Sequence, residues 1–121
     1  MRNMSFSLTT GAVLAHHKTV TRRLGWTFLR PGDLVQAVVK CQGLRKGERV
    51  RPLATLRITD VRREPLRRMT DDPAYGRREI RLECFGEAHP ADFVSLFCGS
   101  HRGSTPDSLI TRIAFVYVDQ L

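Results

Sequence analysis

The chain has 121 residues, of which 41% are hydrophobic and 26% charged, with a formal net charge of +8. This is the length of a single folded domain spanning residues 1–121, long enough to bury a core without staples, and its patterned apolar runs exclude a disordered chain. Three cysteines without a CxxC pair argue against a disulfide framework, and no signal-like or membrane-spanning apolar run occurs, so a cytoplasmic protein with reduced thiols is expected.

In chain order, Ser5–Leu8 suits a short strand, and Thr9 or Thr10 an N-cap for a short helix carrying Val13 and Leu14, closed by His16 and His17. Thr19, Val20 and Thr21 are extended-chain formers. Arg30-Pro31-Gly32-Asp33 predicts a turn into an apolar strand at Leu34–Val39, and Cys41–Arg49 reads as a polar loop. Ala54, Leu56 and Ile58 alternate with Thr55, Arg57 and Thr59, so Leu53–Arg63 is a half-buried strand that Glu64-Pro65 ends. Thr70–Pro73 reads as a breaker, with a helix at about Arg77–Cys84 and Gly86 near its end. Pro90 opens a further helix with an apolar stripe of Phe93, Val94, Leu96 and Phe97. Gly99–Asp107 is a loop, and Leu109–Val118 an apolar strand suited to the centre of a sheet. The order predicts an α+β domain with a mixed, curled sheet or barrel and helices to one side.

The segment Lys18-Thr19-Val20-Thr21-Arg22-Arg23 gathers a cation, hydroxyls and guanidinium groups at a strand start. In extended chain Thr19, Thr21 and Arg23 share one face, and Lys18 at the helix-to-strand junction can swing towards it. Such a group suits an anion or a polarised carbonyl; a solvated edge with surface arginines has the same spacing.

This hexapeptide, the LRPGD turn, the long strand ending at Arg62-Arg63-Glu64-Pro65, the acidic helix and the closing strand together resemble the ASCH superfamily, which has a PUA-like fold. The resemblance implies a small curled β-barrel with a short N-terminal helix and two helices before the last strand. Within that superfamily the segment is similar to the small bacterial N4-acetylcytidine amidohydrolases, whose motif K-T-x-T-x-R is followed by a helical Glu. Lys18, Thr19, Thr21 and Arg23 fill the motif, with Glu83 as the carboxylate and Glu79 as the alternative. The resemblance implies a Lys–Thr–Glu group without metal or other cofactor. Thr21, or a water it holds, attacks the acyl carbonyl; Lys18 or Glu83 moves the proton, and Arg23 stabilises the oxyanion or anchors the substrate. The longer Cys41–Arg49 segment and the higher arginine content depart from that branch and raise a larger RNA as the substrate.

Seventeen of the twenty basic residues are Arg, whose planar fork pairs with phosphate, although GC-rich coding yields the same bias. The doublets Arg62-Arg63 and Arg67-Arg68, with Arg77-Arg78 beyond and Arg102 in a Gly-rich loop, are candidates for tracking an RNA backbone, or else they pair with nearby carboxylates. Trp26 is a candidate for stacking on a base, or a plug for the barrel end. Cys84, Cys98 and His101 hint at zinc, but four ligands are needed and no second paired motif supplies them. A modified nucleoside or RNA is thus the expected partner of a monomeric chain. Two readings stand: an amidohydrolase, and a non-catalytic or ribonuclease-like RNA-binding module using the same cavity. A partner-binding accessory role is the third.

Overall fold

The structure is a computed structural model that describes residues 1–41 and 43–118. Five strands, β1 (Arg2–Ser5), β2 (Val20–Arg23), β3 (Leu34–Val38), β4 (Pro52–Pro65) and β5 (Leu109–Val118), form one sheet in the order β1-β3-β4-β5-β2. β1 runs parallel to β3, and every other pair is antiparallel. Four helices complete the described residues: α1 (Thr10–Leu14), α2 (Arg68–Asp71), α3 (Pro73–Glu83) and α4 (Pro90–Ser100). The sheet curls into a half-barrel whose two edge strands, β1 and β2, are joined by a side chain: the Arg23 guanidinium donates to the Ser5 carbonyl.

The apolar residues divide between two cores. Met4, Phe6, Val13, Val35, Leu56, Ile58 and Phe115 fill the curl, while Leu66, Met69, Ile80, Phe93, Phe97 and Ile110 pack beneath α2, α3 and α4. A bulge between Ile58 and Asp60 inserts an extra residue into β4. Before it the even-numbered Leu56 and Ile58 face the inner core; after it the odd-numbered Val61 packs there. Arg62 and Glu64 are thereby turned to the outer face, under α3. A β-bulge often re-aims side chains beside a functional region in this way.

Several expected boundaries move. The first strand is Arg2–Ser5 rather than Ser5–Leu8, because Thr9 N already turns back onto Phe6 O at 3.1 Å. Three helices, not two, separate β4 from β5, since the expected breaker at Thr70–Pro73 contains the end of the one-turn α2. α3 begins at Pro73, four residues before the expected start. Asp72 caps it by accepting from Tyr75 N at 3.2 Å, and a proline in the first turn costs no hydrogen bond. The helix ends on Cys84 in left-handed conformation (φ 63°), ahead of Gly86. Among the described residues no helix is long and apolar enough to cross a membrane.

Candidate functional site

Three adjacent strands place an arginine at the same level of the sheet. Arg22 of β2 is the register partner of Arg112 of β5, which in turn is the partner of Arg62 of β4. Helix α3 answers this row with Tyr75, Glu79 and Glu83, spaced four apart on one buried face. Arg22 donates to Glu79 Oε1 at 2.6 Å, Glu83 Oε2 at 3.1 Å and the Tyr75 hydroxyl at 3.1 Å. Arg112 donates to both Glu79 oxygens, and Tyr75 donates to Glu64. Among the described residues the buried charges balance, with Lys18, Arg22 and Arg112 against Glu64, Glu79 and Glu83. Burial would raise the Glu79 carboxyl, but Arg112 and Arg22 hold it down at about 2. Burial also works against the charge on Arg22, yet Glu83 and Glu79 leave its pKa raised.

Lys18 completes this group at the edge of β2. Its side chain is 3% exposed, and its ammonium donates to Glu83 Oε1 at 2.9 Å and to the Glu83 carbonyl at 2.7 Å. Burial pushes Lys18 below its usual 10.5, and Glu83 restores only part of the difference. Its main chain is held as well: the Tyr117 hydroxyl donates to Lys18 O at 2.6 Å, and Thr19 N donates to Leu82 O at 3.2 Å. Thr21 and Arg23 lie on the opposite face of β2, where Arg23 Nε donates to Thr21 Oγ1 at 3.1 Å. Burial, against the pull of Glu83, brings Arg23 down to about 10. Because β2 is an edge strand, both of its faces reach a single cavity of about 240 Å³ that Lys18, Thr21, Arg22, Arg23 and Glu83 line. Phe6 and Leu8 after β1, Phe85, and Phe93, Leu96 and Phe97 of α4 form its apolar walls.

Lys18, Thr21, Glu83 and Arg23 are therefore brought together, while the other expected site residues lie elsewhere. Thr19 does not line the cavity; its carbonyl accepts from Phe115 N at 3.0 Å and its amide is used on α3, so it ties β2 to its neighbours. Trp26 also stands outside that cavity, half-buried against the inner core with its ring 5.5 Å from Phe28. Glu79, the alternative carboxylate, is taken by Arg22 and Arg112. The arginine doublets do not form an uncommitted row. Arg62 and Arg68 pair with Glu64 at 3.1 and 3.2 Å, and Arg67 with Asp71 and Asp107 at 3.8 and 3.4 Å. Arg63 and Arg102 are exposed. Among the described residues no three His, Cys, Asp or Glu side chains gather as a metal site, so Cys84, Cys98 and His101 do not converge.

Arg22 and Arg112 are the central residues that the sequence reading passes over. In an extended segment Arg22 falls on the face opposite Thr21 and Arg23, and arginine is rarely buried unless paired. The spacing of Tyr75, Glu79 and Glu83 was the available signal, since two carboxylates on a buried helical stripe require cations opposite.

No family model and no curated protein matches the chain. Solved structures do. The hypothetical protein PH0355 aligns over 97% of this chain and 96% of its own, with a TM-score of 0.64 and 12% identity. An ASCH domain from Lactobacillus crispatus JV V101 aligns over 96% of this chain and 78% of its own, with a TM-score of 0.55 and 16% identity. The chain has an ASCH-like fold. The DUF984 protein EF3133 from Enterococcus faecalis V583 shares it too, over 98% of this chain and 80% of its own, with a TM-score of 0.54 and 17% identity. At such identities the likeness is one of fold, and the expected α+β, PUA-like class holds in the form of an ASCH-like half-barrel.

Proposed function

We propose that this chain hydrolyses the amide of an N4-acylated cytidine with a Lys–Thr–Glu group made of Lys18, Thr21 and Glu83. The observation that carries the reading is the buried Lys18–Glu83 pair, 2.9 Å apart, opening onto the same cavity as Thr21 and Arg23. Amide hydrolysis needs a nucleophile, a proton carrier and a donor for the oxyanion. Thr21 Oγ1 accepts from Arg23, which leaves its own hydrogen free for a base. Lys18 is that base once it has lost its proton, and burial eases the loss. Attack by the Thr21 oxygen, or by a water bound to it, places the negative charge on the acyl oxygen near Arg23. Collapse breaks the C–N bond, and the Lys18 ammonium returns its proton to the departing nitrogen. Cytidine leaves with an intact amino group; the acyl group ends as the carboxylic acid, directly or after water cleaves a threonyl ester. Glu83 holds the lysine in place throughout.

The RNA-binding reading rests on the net charge of +8. Its expected backbone row is weakened by the ion pairs of Arg62, Arg67 and Arg68, which makes the hydrolase the better account. Incubation with N4-acetylcytidine, followed by chromatographic detection of cytidine, tests the choice. Turnover supports the hydrolase, and salt-sensitive RNA binding without turnover supports the binding module.

A further inference from the structure

His101 closes α4 on the wall of the same cavity, and its ring is fixed in both position and tautomer. Nδ1 lies 2.9 Å from the Phe97 carbonyl oxygen; a carbonyl only accepts, so Nδ1 carries a hydrogen and, in the neutral ring, Nε2 the lone pair. The imidazole stacks on the Phe97 ring with centroids 4.0 Å apart and planes 17° from parallel. The main chain is held from the other side, where His101 O accepts from Ser104 N at 3.0 Å and Ser104 Oγ at 2.6 Å.

Nothing among the described residues donates to Nε2. Among the described residues the side-chain polar atom sealed from solvent without a partner is Arg22 Nε, so Nε2 is open. Lys18, Arg22 and Arg23 make the lining of the cavity predominantly cationic. Arg22 and Arg23 only donate, and the Glu83 carboxylate is already held by Lys18 and Arg22. Nε2 is thus an acceptor available to a ligand, beside the aromatic wall of Phe93 and Phe97.

We propose that His101 Nε2 selects ligands bearing an N–H donor on a flat, apolar body: for the hydrolase reading, on which this rests, the exocyclic N–H of a cytosine rather than a fully substituted nitrogen. The test compares binding of cytidine and N4,N4-dimethylcytidine, neither of which can be turned over, by calorimetry. The wild type should prefer cytidine by at least about tenfold. His101→Phe keeps a stacking ring but loses the acceptor, and should abolish the preference; His101→Gln, whose carbonyl can take the place of Nε2, should restore much of it. An unchanged preference in His101→Phe, or binding of neither nucleoside by the wild type, overturns the proposal. Hydrolysis of N4-acetylcytidine is scored separately. A His101-dependent preference without turnover upholds the selector and removes the hydrolase, whereas turnover with His101→Phe still discriminating removes the selector alone.

Discussion

Glu83 is shared between two cations, and the two ways of disturbing that sharing have different consequences. Glu83→Gln leaves Lys18 and Arg22 short of a counter-charge in a buried setting, which costs about 3–5 kcal/mol when one partner of such a group is removed. Lys18→Met is milder for stability, since Glu83 keeps Arg22. Both should lower kcat/KM on the acylated nucleoside by about 10²–10⁴, the usual weight of a proton carrier. Arg22 also draws on the charge that Lys18 feels. In the wild type, kcat/KM should rise with pH through a limb below 10.5, as the lysine becomes neutral. Arg22→Met leaves Glu83 to Lys18 alone and should move that limb to higher pH; a limb that stays in place would show that Arg22 only holds the fold. Lys18, Thr21, Arg23 and Glu83 were legible in the sequence because they sit in a compact motif and near a helix end. Arg22 was not, because the β2 alternation set it on the face away from Thr21 and Arg23 before the helix that covers it could be placed.

Helix α3 is docked on the sheet largely by charge, through Glu79 and Glu83 against Arg22, Arg112 and Lys18. The acid limb of stability follows from Glu79. Its folded pKa of about 2 lies below the ordinary 4.5, so its contribution is complete above about pH 4.5 and is lost as pH falls towards 2. Glu79→Gln should weaken the acid dependence of the melting temperature in that window; an unaltered slope would contradict the assignment. Close approach also matters. A Cβ on Gly76 would stand 1.9 Å from Met69 O and 2.8 Å from Pro90 Cγ, so α3 meets α2 and α4 at a point only glycine fits. Gly76→Ala should cost about 1–3 kcal/mol by thermal melting, the range for overpacking. The strands were read well where alternation is clean, β5 falling on Leu109–Val118 as expected. The start of α3 was missed because Asp72-Pro73 serves equally as a break and as a cap with a first-turn proline, and only the Tyr75 N–H decides between them.

Over the whole molecule the charge is unevenly distributed. The buried group is balanced, so the excess of +8 rests on exposed arginines that repel one another. Salt screens such charges over a Debye length that falls from about 30 Å at 0.01 M to about 3 Å at 1 M, and barely reaches the interior pairs. Raising ionic strength across that range should therefore hold or raise the melting temperature; a marked fall would mean that exposed pairs such as Arg67–Asp71 carry stability. The curled sheet brings the start of the chain, at Ser5 and Phe6, to the same cavity as Glu83 and α4, a convergence that a linear motif cannot display. The account turns on the chemistry of that cavity. The most direct measurement is cytidine release from N4-acetylcytidine by the wild type beside Lys18→Ala, Thr21→Ala and Glu83→Ala, each checked for folding by circular dichroism. Release by the wild type that falls at least about 100-fold in each folded variant is the predicted result. No release by the folded wild type, or release that survives the loss of Lys18, would contradict it.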